Sequence, residues 1–162
     1  MSPGRATLAA CATGLAVIAL DQVTKAAVRS EIPRGDSHDV ILGFDLVHVH
    51  NTGVAFGFMS NGGALVLVGT AIALLALIVF FVLHSGQPLV WLPTGLLLGG
   101  ALGNLIDRAH QGHVTDFIKF PHFPAFNVAD IAITFGVIAL VLVLEGPGRR
   151  REPEPDEPQP DG

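Results

Sequence analysis

The sequence predicts an all-α integral membrane protein with four transmembrane helices and a small extracytoplasmic β-sheet in the loop between helices 1 and 2. Two observations indicate this class. Half of the 162 residues are hydrophobic and only 14% are charged, which is too apolar for an ordinary soluble domain. The apolar residues also gather in four long runs separated by polar segments. One compact unit is expected from this length.

The four predicted spans cover residues of about 6–20, 64–83, 89–106 and 128–144. The first and last contain roughly 15–17 residues, or about 25 Å of helix. They cross a bilayer only if their polar ends lie at its surface or the bilayer thins there. Asp21 follows the first span without a small-residue cleavage pattern, which argues against a removed signal peptide.

The long loop over residues 26–63 is expected to have structure of its own. Residues 39–50 are rich in apolar and β-branched side chains, with partial alternation from Phe44 onward, and this predicts a small sheet on the membrane surface. Asn51-Thr52-Gly53 predicts a turn. The apolar stretch 54–59 is expected to form a short helix or a re-entrant turn at the interface.

Charge outside the spans indicates the orientation of the chain. Residues 147–162 are acidic and proline-rich, so they are expected to form a disordered cytoplasmic tail. Four spans place both termini on one side, and Arg149, Arg150 and Arg151 beside the last span favour the cytoplasm. The rest of the chain is nearly neutral and has no basic patch, so nucleic acid is not an expected partner.

Polar residues that are costly at membrane depth fall at the ends of particular spans. In a four-span topology all of them lie at one membrane face, whereas the opposite connection, residues 84–88, contains no acid. Polar helix ends explain one acid per helix but not this one-sidedness, so the cluster indicates a functional site. Its members are Asp21, Asn51, Asn104, Asp107, Arg108, Asp116, Asn127 and Asp130.

Five short motifs in chain order carry a family resemblance. They are Asp21–Lys25, Asn51–Phe56, Gly99–Arg108, Val114–Phe117 and Phe126–Asp130. Together they resemble the motifs of the lipoprotein signal peptidases, also called signal peptidase II, from the first span to the last. The stretch between Asp116 and Asp130 is short for this family.

The resemblance implies an aspartic endopeptidase of the bacterial plasma membrane. Such an enzyme removes signal peptides from diacylglyceryl-modified prolipoproteins by cutting just before the lipidated cysteine, with its active site at the extracytoplasmic face. Asp116 and Asp130 then match the catalytic pair. The substrate-binding residues are matched by Asn51, Gly53, Asn104, Arg108 and Asn127, and the supporting residues by Asp21 and Lys25.

The chemistry of two neighbouring carboxyls suits peptide hydrolysis, because both cannot ionise cheaply and one keeps its proton. Asp116 lies among apolar residues with no basic neighbour, a setting that raises a carboxyl pKa and suits the acid. Asp130 follows Asn127 by three residues. If Asn127 caps the last helix, the helix dipole favours an anion at Asp130, which suits the base. An ordinary helix cap has the same local pattern.

The neighbouring polar and small residues are expected to support the site. Asp107 directly precedes Arg108, and we interpret it as a supporting acid, structural or substrate-positioning, that holds the arginine by charge pairing. Asn104 and Asn127 are suited to hold the scissile backbone or an oxyanion, or else to link helices by hydrogen bonds. Gly99, Gly100 and Gly103 favour close helix packing.

No cofactor and no metal are expected, because the histidine spacings fit no ligand motif. The expected partners are a diacylglyceryl-modified prolipoprotein and membrane lipid, and the expected state is a monomer. The main alternative is a small polytopic transporter or proton-coupled carrier, which needs acids in mid-span rather than at one face. A non-catalytic scaffold would tolerate exchange of both aspartates. An unrelated intramembrane aspartyl protease would accept unlipidated helices.

Overall fold

The computed structural model describes residues 1–41, 43–53 and 62–145 as a mostly helical chain with one small sheet. The predicted tail and the predicted interfacial stretch 54–59 lie outside the described residues. The elements are α1 (Pro3–Glu31), β1 (Ser37–Ile41), β2 (Phe44–Asn51), α2 (Gly62–His84), α3 (Trp91–Gln111), β3 (Val114–Lys119) and α4 (Val128–Glu145).

Helix α1 runs well past the first predicted span, which was expected to end near residue 20, and reaches Glu31. Residues 26–31 therefore belong to a helix, and their assignment to the loop was wrong. Asp21 and Lys25 therefore lie inside the helix, one turn apart, and they form an ion pair. The helix ends at Glu31 because the next residue precedes Pro33, and a residue before proline disfavours helical backbone.

Helix α3 lies between α1 and α4 and contacts both at backbone distance. A Cβ atom added at Gly99 would lie 2.7 Å from the carbonyl oxygen of Gly14 on α1. One added at Gly100 would lie 2.5 Å from the carbonyl oxygen of Ala129 on α4. The glycines thus permit the close approach that the sequence predicted, and they bring the polar end of α3 against both neighbouring helices.

Among the described residues, three helices are long and apolar enough to cross a membrane: Pro3–Glu31, Val66–His84 and Val128–Glu145. Helix α3 has 21 residues but is less apolar, because glycines, Asn104, Asp107 and Arg108 lower its hydropathy. A mostly helical chain with apolar, membrane-length helices is therefore confirmed.

The small sheet is antiparallel, with strand order β1-β2-β3. Two of its strands lie in the loop between α1 and α2, as predicted, but β3 comes from the connection between α3 and α4. The sequence did not predict β3, since it has only six residues with an aspartate at its third position. In the β2–β3 register Val49 pairs with Asp116 and Asn51 with Val114, so β3 brings the two distant motifs together.

Candidate active site

Asp116 lies at the centre of β3 and is almost fully buried, with 2% of its surface exposed. Its two oxygens accept hydrogen bonds from two asparagine side chains. Asn127 Nδ2 donates to Oδ1 at 2.7 Å, and Asn51 Nδ2 donates to Oδ2 at 2.9 Å. The sheet register supplies Asn51 and the start of α4 supplies Asn127.

Asp130 lies in the first turn of α4 in a reciprocal capping arrangement with Asn127. The backbone N–H of Asp130 donates to Asn127 Oδ1 at 3.0 Å, and the backbone N–H of Asn127 donates to Asp130 Oδ2 at 3.2 Å. The spacing of these two residues predicted this cap. The other oxygen, Asp130 Oδ1, accepts from Asn104 Nδ2 at 2.8 Å.

All four carboxyl oxygens of Asp116 and Asp130 therefore accept one hydrogen bond from a neutral N–H group. We call these two residues the aspartate pair. Asn127 joins them, with its side chain bonded to Asp116 and its backbone to Asp130. Within residues 1–41, 43–53 and 62–145, no cation forms an ion pair with either carboxyl. Each oxygen keeps a lone pair that can accept a further donor, such as water.

Burial raises the pKa of Asp116 from 3.8 to about 6, and the negative charge of Asp130 adds to this rise. The hydrogen bonds from Asn51 and Asn127 and the charge of Lys25 oppose it. The predicted direction of this pKa shift is therefore confirmed, and desolvation is its main cause. Near neutral pH this carboxyl readily exchanges its proton.

A buried group of charges lies directly behind the aspartate pair. We call Asp21, Lys25, Arg29 and Asp107 the charge cluster. Lys25 Nζ lies 2.8 Å from Asp21 Oδ2 and 3.2 Å from Asp107 Oδ2, and all three side chains are fully buried. Arg29 Nη1 lies 3.7 Å from Asp107 Oδ1. Two acids and two bases balance, so burial does not leave a charge unpaired.

Asp107 does not hold Arg108, as the sequence suggested, but pairs with Lys25 and Arg29 on α1. That interpretation was wrong because consecutive side chains on a helix do not face each other. Asp107 also accepts a hydrogen bond from the backbone N–H of Thr115 at 3.0 Å. It thereby fixes the beginning of β3, one residue before Asp116.

Asp21 joins α1 to the first turn of α4. Its Oδ1 accepts a hydrogen bond from the backbone N–H of Ala129 at 3.0 Å. That N–H has no partner within its own helix, and the positive end of the helix dipole attracts an anion. Asp21 and Asp107 thus attach the two aspartate-bearing elements to a common support on α1 and α3.

Three residues of this network received no role from the sequence. Gln22 Nε2 donates to Asp21 at 3.1 Å, to the Gly103 carbonyl oxygen at 3.1 Å and to Asp107 at 3.2 Å. Arg29 and Thr115 are the others. Gln22 and Thr115 lie inside quoted motifs, which was a usable signal. Arg29 was missed because its helix was expected to end near residue 20.

Of the aspartate pair, Asp130 lines a cleft of about 640 Å³ between α2, α3 and α4. Asn104, Arg108 and Asp130 line its polar end, and apolar residues such as Leu77 and Phe80 line the rest. Arg108 Nε is buried and has no hydrogen-bond partner among the described residues. Its guanidinium lies beside Gly53, where an added Cβ would be 3.7 Å from Arg108 Nη2.

Three histidines lie near Asn51, two of them, His48 and His50, on β2 and the third, His113, directly before β3. The rings of His50 and His113 stack with centroids 3.5 Å apart, and His48 meets His50 edge-on. Burial is the main cause that lowers the pKa of His50, and the other two histidines and Arg34 add to it. Within the described part of the chain no group of His, Cys, Asp or Glu is arranged to hold a metal ion.

The chain is similar to known proteins along most of its length. Residues 13–145 match the family described as Signal peptidase (SPase) II. The lipoprotein signal peptidase of Paraburkholderia phytofirmans is 45% identical over 79% of this chain and 79% of its own length. That of Moorella thermoacetica is 43% identical over 86% of this chain and 95% of its own.

The fold has a solved relative as well. A bacterial membrane enzyme determined by the in meso method at 1.9 Å resolution superposes with a TM-score of 0.80. It is 35% identical, and the match covers 85% of this chain and 93% of that one. On the family match and on these identities, the chain belongs to the signal peptidase II family, the lipoprotein signal peptidases.

Proposed function

We propose that the chain is an aspartic endopeptidase that removes signal peptides from diacylglyceryl-modified prolipoproteins, cutting just before the lipidated cysteine. Membership of the signal peptidase II family makes it a peptidase that acts on prolipoproteins. One observation supports the aspartic mechanism above others. Two carboxyls are joined by one asparagine, their donors within the described part of the chain are neutral N–H groups, and the pKa of one is raised to about 6.

The mechanism assigns the acid to Asp116 and the base to Asp130. Asp130 removes a proton from a water molecule, whose oxygen attacks the scissile carbonyl carbon while Asp116 donates its proton to the carbonyl oxygen. The tetrahedral intermediate collapses, the C–N bond breaks, and the proton held by Asp130 passes to the leaving amine. The hydroxyl proton of the intermediate returns to Asp116.

The cleft between α2, α3 and α4 is our proposed substrate site. Its apolar length fits a membrane-inserted signal segment, and a substrate bound there would have a backbone carbonyl at the polar end, where Asp130 lies. Arg108 Nε has no hydrogen-bond partner among the described residues, so it can donate to a carbonyl or ester oxygen of the substrate. Asn51 and Gly53 form the neighbouring wall, where the Gly53 N–H donates to Asn51 Oδ1 at 2.8 Å and makes a tight turn.

For the membrane arrangement we propose four spans. Helix α3 is added to the three more apolar helices and is the third span in chain order. Its 21 residues give roughly 31 Å, enough to cross the hydrocarbon core. Its polar residues Asn104 and Asp107 contact α1 and α4, and Arg108 lines the cleft. The aspartate pair and the sheet then lie at the extracytoplasmic face, and both termini lie in the cytoplasm. We also propose a monomer surrounded by membrane lipid as the working unit.

The test is processing of a defined precursor by the purified enzyme in proteoliposomes, with the precursor supplied in diacylglyceryl-modified and bare forms. We expect cleavage of the lipidated form alone. Asp116→Asn and Asp130→Asn should each reduce turnover by at least about a thousandfold, because loss of a group that transfers a proton costs that much. Both variants should still insert and fold.

Three outcomes would contradict this proposal. Full turnover by either asparagine variant would remove the aspartic mechanism. Equal cleavage of bare and lipidated precursors would point to an intramembrane protease of broader specificity. Solute or proton flux without any cleavage would favour a carrier.

A further inference from the structure

Lys25 carries a charge inside the membrane domain, yet it lines neither the cleft nor the aspartate pair. Its side chain is fully buried. Its ammonium group has three close acceptors: Asp21 Oδ2 at 2.8 Å, Asn104 Oδ1 at 2.9 Å and Asp107 Oδ2 at 3.2 Å. Two acids are sufficient to balance one lysine and Arg29, so the bond to Asn104 calls for its own explanation.

The contact with Lys25 determines which way the Asn104 amide points. An ammonium group only donates hydrogen bonds, so an amide beside it must present oxygen rather than nitrogen. Asn127 Nδ2 also donates to Asn104 Oδ1, at 3.1 Å. With its oxygen held by two donors, Asn104 must direct Nδ2 away from α1, and this nitrogen donates to Asp130 Oδ1 at 2.8 Å.

The reversed amide would be unfavourable on both sides. Its nitrogen would face the donors Lys25 and Asn127, and its oxygen would face the carboxyl of Asp130. A neutral residue in place of Lys25 would remove the stronger of the two donors, because a hydrogen bond from a charged group exceeds one from a neutral group. The orientation would then depend on Asn127 alone, which divides its Nδ2 between Asn104 and Asp116.

We propose that Lys25 is a positioning residue that fixes the amide of Asn104, and that Asn104 in turn holds Asp130 in the geometry that activates water. This inference rests on the proposed function, since it assigns Asp130 to the reaction. Lys25 is buried behind the site and does not contact substrate. Its loss should therefore lower kcat and leave KM nearly unchanged.

The principal experiment is a double-mutant cycle on precursor cleavage in proteoliposomes. Lys25→Met should lower kcat about 100-fold, since small misplacement of a reacting group has effects of this size. In an Asn104→Ala background the same change should lower kcat no more than about threefold, because the amide through which Lys25 acts is gone. A purely structural lysine would give the same penalty in both backgrounds, and that result would overturn the proposal.

The matched control is Arg29→Met, which removes the other cation of the charge cluster. Arg29 contacts Asp107 and the Thr115 hydroxyl but not Asn104. Its loss should reduce thermal stability and lower kcat far less than Lys25→Met. Because Lys25→Met leaves two buried acids with one base, Lys25→Met with Asp107→Asn restores the balance of charge. If this balanced variant folds and keeps wild-type kcat, the proposal is wrong.

A readout without activity separates this proposal from the proposed function. In protein labelled with ¹⁵N at asparagine, the side-chain amide signal of Asn104, assigned through Asn104→Ala, should be protected from exchange with water. Lys25→Met should shift this signal and remove its protection, whereas Arg29→Met should not. An unchanged Asn104 signal in Lys25→Met overturns the positioning role. Failure of the wild-type enzyme to cleave precursor would instead overturn the proposed function. The Asn104 amide signal would then still test whether Lys25 positions Asn104.

Discussion

The charge cluster and the aspartate pair are separated by a single side chain, Asn104, yet they hold their acids in opposite ways. In the cluster, Asp21 and Asp107 contact cations at 2.8 and 3.2 Å. In the pair, the carboxyls accept amide N–H groups and no cation among the residues that the structure describes. Full charge pairing suits a structural support, whereas neutral donors permit a carboxyl to exchange its proton. The difference separates a structural role for acids from a chemical one within one site.

The largest expected difference between the two groups of acids is in stability, between the variants Asp107→Asn and Asp116→Asn. Loss of the Asp107 charge leaves Lys25 and Arg29 with too few acids in a buried place, so the free energy of unfolding should fall by about 3–5 kcal/mol. Asp116 forms no ion pair among the described residues, so its replacement leaves no cation unpaired. The free energy of unfolding of Asp116→Asn should therefore stay within about 1 kcal/mol of wild type at neutral pH. Denaturant unfolding in detergent micelles measures both. Equal losses would show that the two groups of acids are not distinct.

A smaller loss of stability is expected from Gly103→Ala, whose added methyl group would crowd the charge cluster without changing any charge. A Cβ at this position would lie 2.7 Å from Asp21 Oδ2, so Asp21 or α3 must shift, at about 1–3 kcal/mol. Gly69→Ala on α2 is the matched control, because its Cβ would meet nothing within 4 Å. The control should be neutral or slightly stabilising. Melting temperatures of the two variants give the comparison, and equal values would contradict it.

The sequence predicted local features of this site better than distant contacts. The capping of α4 by Asn127 and the raised pKa of Asp116 both depend on neighbours within a few residues, and both agree with the structure. The partner of Asp107 was wrong, since its true partners, Lys25 and Arg29, lie on another helix.

The fold shows the same division. Long apolar runs predicted the helices because hydrophobic length is a strong signal. The end of α1 was placed too early, since the polar Asp21 resembles a helix terminus unless its buried partners are known. Strand β3 was not predicted because it pairs with a distant part of the chain, as Asn51 with Val114, and because six residues carry little periodicity.

The pH dependence of catalysis tests the chemical half of the comparison. The folded pKa of Asp116 is raised to about 6, and the mechanism needs its proton. The value of kcat/KM, which reports the free enzyme, should therefore fall as pH rises through about 6. A rate that rises through this range would reverse the roles assigned to the two acids.

Stability should follow the same titration. A pKa raised from 3.8 to about 6 on folding contributes stability that is complete below pH 3.8 and is lost as pH rises through about 6. The melting temperature of wild type should decline over this window relative to that of Asp116→Asn. Parallel curves for the two proteins would show that Asp116 does not titrate in the folded state as described.

The smallest expected effect is a shift of the kcat/KM profile in Asn51→Ala. The Asn51 side chain donates to Asp116 Oδ2 at 2.9 Å and lowers the pKa of this carboxyl, so its removal should raise that pKa. The fall of kcat/KM should move to higher pH, because a neutral donor that stabilises the anion has been lost. Thr52→Ala is the control, as Thr52 is the exposed neighbour of Asn51 and should leave the profile in place. A shift to lower pH in Asn51→Ala would mean that Asn51 stabilises the protonated carboxyl, and the distinction between neutral donors and cations would then need another basis.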